Sequence, residues 1–445
     1  MAGGRSLYTL GLWLAAPLVL ARLALRSRRQ PGYLDHLRER FGHYRSRYRS
    51  RDRSCAIPAA PAVPPLAGTA VLERAGPLYW LHAVSVGETQ AARPVIEALR
   101  ARRPDARFLR THMTPTGRAT AHELFGDTVQ SVYLPYDFPF AVRRFLAHFR
   151  PDVGVIMETE LWPNLVSACR RRGVPLYLVN ARLSERSAAR YRRFPRLTAD
   201  TLRGLSGVFA QADADADRLR SLGAPEVVVT GNVKFDALPS PALVAAGERW
   251  RAGWAGRPVL IAASTREGEE SLVLEALRTM QVPGLLLLLV PRHPQRFDEV
   301  ARLLDQAGLR YARRSAQGGV ESLADRSIQV LLGDSMGEMA AYYAACDLAF
   351  VGGSLLPLGG QNLIEPCALG RPVLVGPHTF NFREVAVQAI EAGAVCRVED
   401  AAGLGREATR LFGDPTARAA MGEAGAAFAR HHRGATARTI ERMPG

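Results

Sequence analysis

From residue 77 onward the chain alternates short apolar runs with stretches in which apolar residues recur every three or four positions. The runs LYWLHAV (78–84), DVGVIME (152–158), VPLYLVN (174–180), PVLIAAS (258–264), GLLLLLVP (284–291) and RPVLVG (371–376) are apolar at most positions, not at every second one. Strands buried on both faces read this way, because crossover helices cover a parallel sheet from either side. The pattern predicts an α/β protein with two parallel sheets. A break at DALPSPA (236–242) separates two halves, each long enough for a doubly wound, Rossmann-like domain. The expected boundaries are 1–30 for an N-terminal apolar helix, 31–238 for a first domain and 239–445 for a second.

The N-terminus breaks this rhythm. Residues 7–21 are apolar apart from Thr9, and Arg22, Arg26, Arg28 and Arg29 follow. The run is short for a full span of about 20 residues, and no small-residue cleavage site follows it. An uncleaved anchor or an interfacial helix is expected, with the basic cluster and the bulk of the protein on the cytoplasmic side. RERFGHYRSRYRSRDRS (38–54) sets Phe41, Tyr44 and Tyr48 among arginines. That composition suits a membrane surface, a nucleic-acid patch or a plain solvated segment. AIPAAPAVPPLAG (56–68) is a Pro/Ala-rich linker.

Charge adds a constraint. A formal charge of +16 implies an anionic partner: nucleic acid, an acidic membrane or a phosphorylated substrate. Of the 58 basic residues, only Lys234 is a lysine. An ammonium is a compact point charge and a guanidinium a planar fork, so a site needing the former resists the exchange. Lys234 is therefore a candidate functional residue. Five scattered cysteines without a C-x-x-C pair fit buried thiols in a reducing compartment. Asp213, Asp215 and Asp217 imitate a calcium loop, but Arg218 stands where such a loop needs glycine. They read instead as the acidic first turn of a helix. No metal and no cofactor is expected.

Ligands of open α/β sheets bind beyond the carboxyl ends of the strands. In the first half those ends are SVGE (85–88), THMTPTG (111–117), METELWPN (157–164), NARLSERS (180–187) and GNVKFD (231–236), which would gather Glu88, Glu158, Glu160, Arg182 and Lys234. Ser85-x-x-Glu88 is also a capping-box pattern. At a helix N-terminus Glu88 is expected to stay ionised near neutral pH. In the second half, Arg292 in VPRHPQRF (290–297) is a natural phosphate fork. In GGSLLPLGGQNLIEPCALG (352–370), Gly359 and Gly360 feed a helix start suited to phosphate, and Glu365 suits ribose hydroxyls. No G-x-G-x-x-G follows the first strand and no P-loop occurs, which removes the common dehydrogenases and kinases.

HAVSVGE, MTPTG, YLPYDFP, METELWPNL, NARLSERS, VPRHPQRF, GDSMGEM, FVGGSL, GGQNLIEP and GPHTFNF occur in this order and together resemble the 3-deoxy-D-manno-octulosonic acid (Kdo) transferases. The resemblance implies a GT-B fold, two Rossmann-like domains facing across a cleft. It implies inverting transfer of Kdo from CMP-Kdo to the lipid A precursor (lipid IVA) at the cytoplasmic face of the inner membrane. By this resemblance Glu88 is the general base, and Glu158 and Lys234 stabilise the transition state. CMP contacts carry over to Pro291, Arg292, Met336, Gly337, Glu338, Asn362, Leu363, Ile364 and Glu365. The partners implied are CMP-Kdo, lipid IVA and the anionic lipid surface, with no nucleic acid. The chain departs from the family pattern at Arg266 and Gln361, where histidine is more usual, and in a long linker over 45–75. Two alternatives stay open: a GT-B transferase or epimerase using a UDP-sugar, and a membrane-tethered nucleic-acid-binding protein on a degenerate transferase fold.

Overall fold

The computed structural model describes residues 3–29, 32–44, 76–254, 256–316, 320 and 325–443. The basic segment beyond residue 44 and the linker lie outside them. The chain forms two units: Met1–Ala237 with Gly434–Gly445, and Leu238–Arg433. The division between Ala237 and Leu238 falls inside DALPSPA. The expected second domain ran to 445, whereas residues 434–445 return to the first unit.

In the first unit, β1 (Leu78–His82), β2 (Arg107–His112), β3 (Gln130–Tyr133), β4 (Val153–Met157), β5 (Leu176–Ala181), β6 (Gly207–Ala210) and β7 (Val227–Val229) lie in the order β3-β2-β1-β4-β5-β6-β7. All neighbours pair in parallel. The apolar runs are explained by burial on both faces. Trp80 and Leu109 pack on one side, and Tyr79, Leu81 and Phe108 on the other. Chain order reverses between β1 and β4, so a crevice opens beyond the ends of those two strands. Glu88 and Glu158 follow them.

The N-terminal helix Gly3–Arg29 contains a segment long and apolar enough to cross a membrane, by length and composition. Leu7, Leu14 and Leu18 are each more than 70% exposed (71%, 73% and 73%), so the unit itself does not bury this row. Other side chains of the helix hold it to the first unit. Arg5 donates to the Ser167 hydroxyl, Asn164 Nδ2 donates to Thr9 Oγ1 at 3.1 Å, and the Trp13 ring lies 4.8 Å from Phe138.

In the second unit, β8 (Val259–Thr265), β9 (Leu286–Pro291), β10 (Tyr311–Arg313), β11 (Val330–Leu332), β12 (Leu348–Val351), β13 (Val373–Val375) and β14 (Val395–Arg397) lie in the order β10-β11-β9-β8-β12-β13-β14, again all parallel. Here the reversal falls between β8 and β12.

The returning C-terminal helix, Ala435–Glu441, is fastened to the segment that carries Lys234. Asp236 accepts from Gly434 N at 2.7 Å and Thr436 N at 2.6 Å, capping that helix. Arg438 Nε donates to the Thr230 carbonyl at 2.8 Å. Asp236→Ala removes the cap and is expected to destabilise the protein by about 1 kcal/mol, read from the urea midpoint. An unchanged midpoint would mean that the return is held by its other contacts alone.

Candidate active site

Glu88 sits in the first turn of the helix Val86–Arg102. Ser85 is the N-cap, and its hydroxyl oxygen accepts from Glu88 N at 3.3 Å. The capping box is altered in one respect. The Glu88 carboxylate takes the N–H of Val84 at 2.8 Å, one residue before the cap, and the Ser85 hydroxyl at 2.9 Å. The MTPTG turn supports this corner: Thr114 Oγ1 donates to the Val84 carbonyl at 2.9 Å. A Cβ at Gly117 would stand 2.9 Å from that same carbonyl oxygen, so the motif needs glycine there.

Glu158 and Glu160 follow β4. Two motifs clasp to hold this loop. Asp137 of YLPYDFP accepts from the N–H groups of Asn164 at 2.9 Å and Leu165 at 2.8 Å, and Asn164 Nδ2 donates to the Asp137 carbonyl at 2.7 Å. Thr159 donates to the Arg182 carbonyl, so Arg182 joins the loop through its backbone.

Lys234 reaches the same place from the far edge of the sheet. After β7 the chain doubles back over the strand ends, tied down at each step. Thr230 N donates to Ala210 O on β6 at 3.0 Å, and Val233 N donates to Asn180 Oδ1 on β5 at 3.1 Å. Lys234 Nζ then donates to Glu158 Oε1 beyond β4 at 2.7 Å. The Lys234 side chain is 18% exposed and that of Glu158 26%, so the pair faces a partly dry site. Glu158 and Asn180 both hold left-handed backbone, at φ 59° and 57°. Such strain costs about 1–3 kcal/mol per residue and persists where the surroundings over-determine it.

The carboxylates alter each other's protonation. Burial, and then the charge of Glu158, push Glu88 from the ordinary 4.5 up to about 7. The same two causes take Glu160 to about 7, and burial does so for Asp137. Glu88 therefore titrates near neutrality, where full ionisation was expected. The helix start favours the anion, but desolvation and a neighbouring carboxylate outweigh it. These three groups disfavour ionisation when folded, so their contribution to stability is fully present below about pH 4 and is lost as pH rises towards 7. His82, beside Trp162, is pushed down to about 4 by burial and rests its Nδ1 against Thr111. A neutral imidazole of that basicity is a weak proton acceptor, which leaves Glu88 as the stronger base.

The predicted residues of the second unit follow β9, β11 and β12 of its sheet. Pro291 ends β9, and burial holds Arg292 below the ordinary guanidinium range. Met336 is 49% exposed, Gly337 has φ 80°, and Glu338 pairs with Arg314 at 2.7 Å. Leu363 and Ile364 are buried and offer a ligand only backbone. Asn362 Oδ1 accepts from Ile364 N at 3.1 Å, and Glu365 lies in the first turn of the helix Ile364–Ala368. That helix has only five residues, so its dipole contributes less to a phosphate than the expected helix start implied. Asp213 and Asp215 open the helix Asp213–Ser221, as read from the sequence, and Asp215 accepts from Leu183 N at 2.7 Å. Sequence reasoning passed over Asn180, Asp137 and Asp236. The first signal for Asn180 is chemical, since Asn tolerates the left-handed region better than most residues.

A family model described as 3-deoxy-D-manno-octulosonic-acid transferase (kdotransferase) matches residues 35–237. A 3-deoxy-D-manno-octulosonic acid transferase from Bordetella pertussis is 46% identical, covering 99% of this chain and 99% of its own. The enzyme of the same name from Haemophilus influenzae is 38% identical, covering 98% and 97%. A crystal structure of UDP-GlcNAc 2-epimerase from Neisseria meningitidis bound to UDP-GlcNAc matches 82% of this chain and 99% of that one, with TM-score 0.57 and 16% identity. That last likeness is one of fold.

Proposed function

The chain belongs to the 3-deoxy-D-manno-octulosonic acid transferase family, glycosyltransferases of GT-B fold, and from that premise we propose that it moves Kdo from CMP-Kdo to the lipid A precursor. The first unit supplies the base and a cation, and the second holds CMP. Glu88 takes the proton of the acceptor hydroxyl as that oxygen attacks the anomeric carbon. The bond to the CMP phosphate breaks on the opposite face, inverting the centre. Lys234, held by Glu158, stabilises the negative charge that develops as CMP departs. The observation that carries this reading is the convergence of Glu88, Glu158 and Lys234 from three separate segments at one end of one sheet. The exposed apolar row of the N-terminal helix suits an anchor in the cytoplasmic face of the inner membrane, where a phosphorylated lipid acceptor would lie. No metal enters the proposed steps, so EDTA is expected to leave the rate unchanged.

The pH profile tests the base. Because the free enzyme's Glu88 must be ionised, kcat/KM is expected to rise with pH through about 7, following the raised carboxyl. A limb near 4.5, that of an unperturbed Glu, would mean the proton acceptor is another group. Donor competition separates the UDP-sugar alternative: CMP is expected to inhibit, and UDP to leave the rate unchanged.

A further inference from the structure

The donor of the proposed reaction carries two anionic groups, the phosphate of its CMP and the carboxylate of its sugar acid. Among the second unit's carried-over CMP contacts, Arg292 is the one cation. A second stands beside it. β8 lies between β9 and β12, at the point where strand order reverses. Arg292 follows β9, Arg266 follows β8 and Gly353 follows β12, so all three border the crevice such a sheet leaves for ligands. They are fixed to one another. Arg292 N donates to the Thr265 carbonyl at 2.9 Å. A Cβ on Gly353 would lie 3.6 Å from Arg266 Cγ and 3.1 Å from Gln361 Nε2. Arg266 and Gln361 thus meet at one glycine.

The carboxylates nearest in sequence are engaged elsewhere. Glu269, fully buried, accepts from the N–H groups of Gly353 at 2.5 Å, Ser354 at 2.9 Å, Leu355 at 3.0 Å and Arg266 at 3.1 Å. Glu270 accepts from Thr265 Oγ1 at 2.9 Å and pairs with Arg296 at 3.1 Å. Glu267 is exposed and pairs with neither arginine. Among the described residues, Arg266 and Arg292 form no ion pair, yet they lie close enough that Arg266 adds to the burial that opposes charge on Arg292. Two partly buried arginines on adjoining strand ends, without an ion pair among the described residues, call for anions from a ligand.

We propose that Arg266 is a specificity-determining residue that receives the carboxylate of the sugar-acid donor, leaving Arg292 to the phosphate. This rests on the functional reading above. The test compares CMP affinity by calorimetry with KM for CMP-Kdo from initial rates, in wild type, Arg266→Gln, Arg266→His and Arg292→Gln, with melting curves to verify folding. Arg266→Gln is expected to leave the Kd for CMP within about twofold and raise KM for CMP-Kdo about tenfold or more, the loss of one charge-assisted hydrogen bond. Arg266→His, whose imidazolium can still meet a carboxylate, is expected to lose less than Arg266→Gln. Arg292→Gln is expected to weaken both ligands. Equal weakening of CMP and CMP-Kdo in Arg266→Gln would make Arg266 a phosphate ligand and overturn the proposal. No change in either ligand would overturn it too. Wild-type turnover is measured first. Folded wild type that leaves CMP-Kdo unused sinks the functional reading and this assignment together, whereas active wild type with an unaffected Arg266→Gln sinks only the assignment.

Discussion

Glu88→Gln is expected to lower turnover by about 10³-fold while leaving CMP affinity within about twofold. The magnitude is that of removing a positioned proton acceptor, about 10²–10⁴-fold. Glutamine is the informative replacement because a capping box accepts Glu or Gln at this position. Its amide oxygen still takes the Val84 N–H or the Ser85 hydroxyl, so the helix start survives. What disappears is the capacity to take a proton. If Glu88 were only a cap, the variant would keep wild-type turnover. CMP affinity is the internal control, since the residues proposed for CMP belong to the other unit. Turnover at the wild-type rate in a folded variant would end the base assignment.

The second large effect is expected at Lys234. Lys234→Arg keeps the charge and still loses about 10²-fold in kcat, comparable with removing one preorganised charge-stabilising donor. The Lys234 side chain is mostly buried, with its ammonium 2.7 Å from Glu158 Oε1, at the end of a turn fixed by Asn180 and Asn232. A guanidinium is longer and planar, and in pairing with Glu158 it would carry its charge to a different place. In a chain with 58 basic residues, this is the one lysine, where a point charge rather than a planar fork is offered to Glu158. A Lys234→Arg variant with full kcat would make that lone lysine a coincidence of composition.

Much of this was legible in the sequence, for identifiable reasons. GLLLLLVP reads as a strand buried on both faces because a parallel sheet demands it, and Leu286–Pro291 is buried throughout. Ser85 and Glu88 announce a helix start through their spacing, and the structure places them there. The strand-end rule pointed to Glu88, Glu158, Glu160, Arg182 and Lys234, whose loops follow strands of one parallel sheet. What stayed hidden depends on three-dimensional surroundings. The return of residues 434–445 to the first unit leaves no periodic mark, since an amphipathic helix does not say which core it faces. The route of the chain from β7 back to Glu158 depends on Asn180 holding a left-handed backbone, a choice made by its neighbours. The titration of Glu88 near neutrality comes from burial and from Glu158, residues apart by 70 positions in sequence and joined only by the fold.

The most direct measurement is the mass of the product. The detergent-solubilised full-length protein is incubated with CMP-Kdo and a tetraacylated lipid A precursor, and the lipids are weighed by mass spectrometry. The account predicts an increase by one or more Kdo units, with CMP released in equal amount, and the same spectrum counts the additions. Unchanged lipid, with intact CMP-Kdo and folded protein in the same tube, would contradict it.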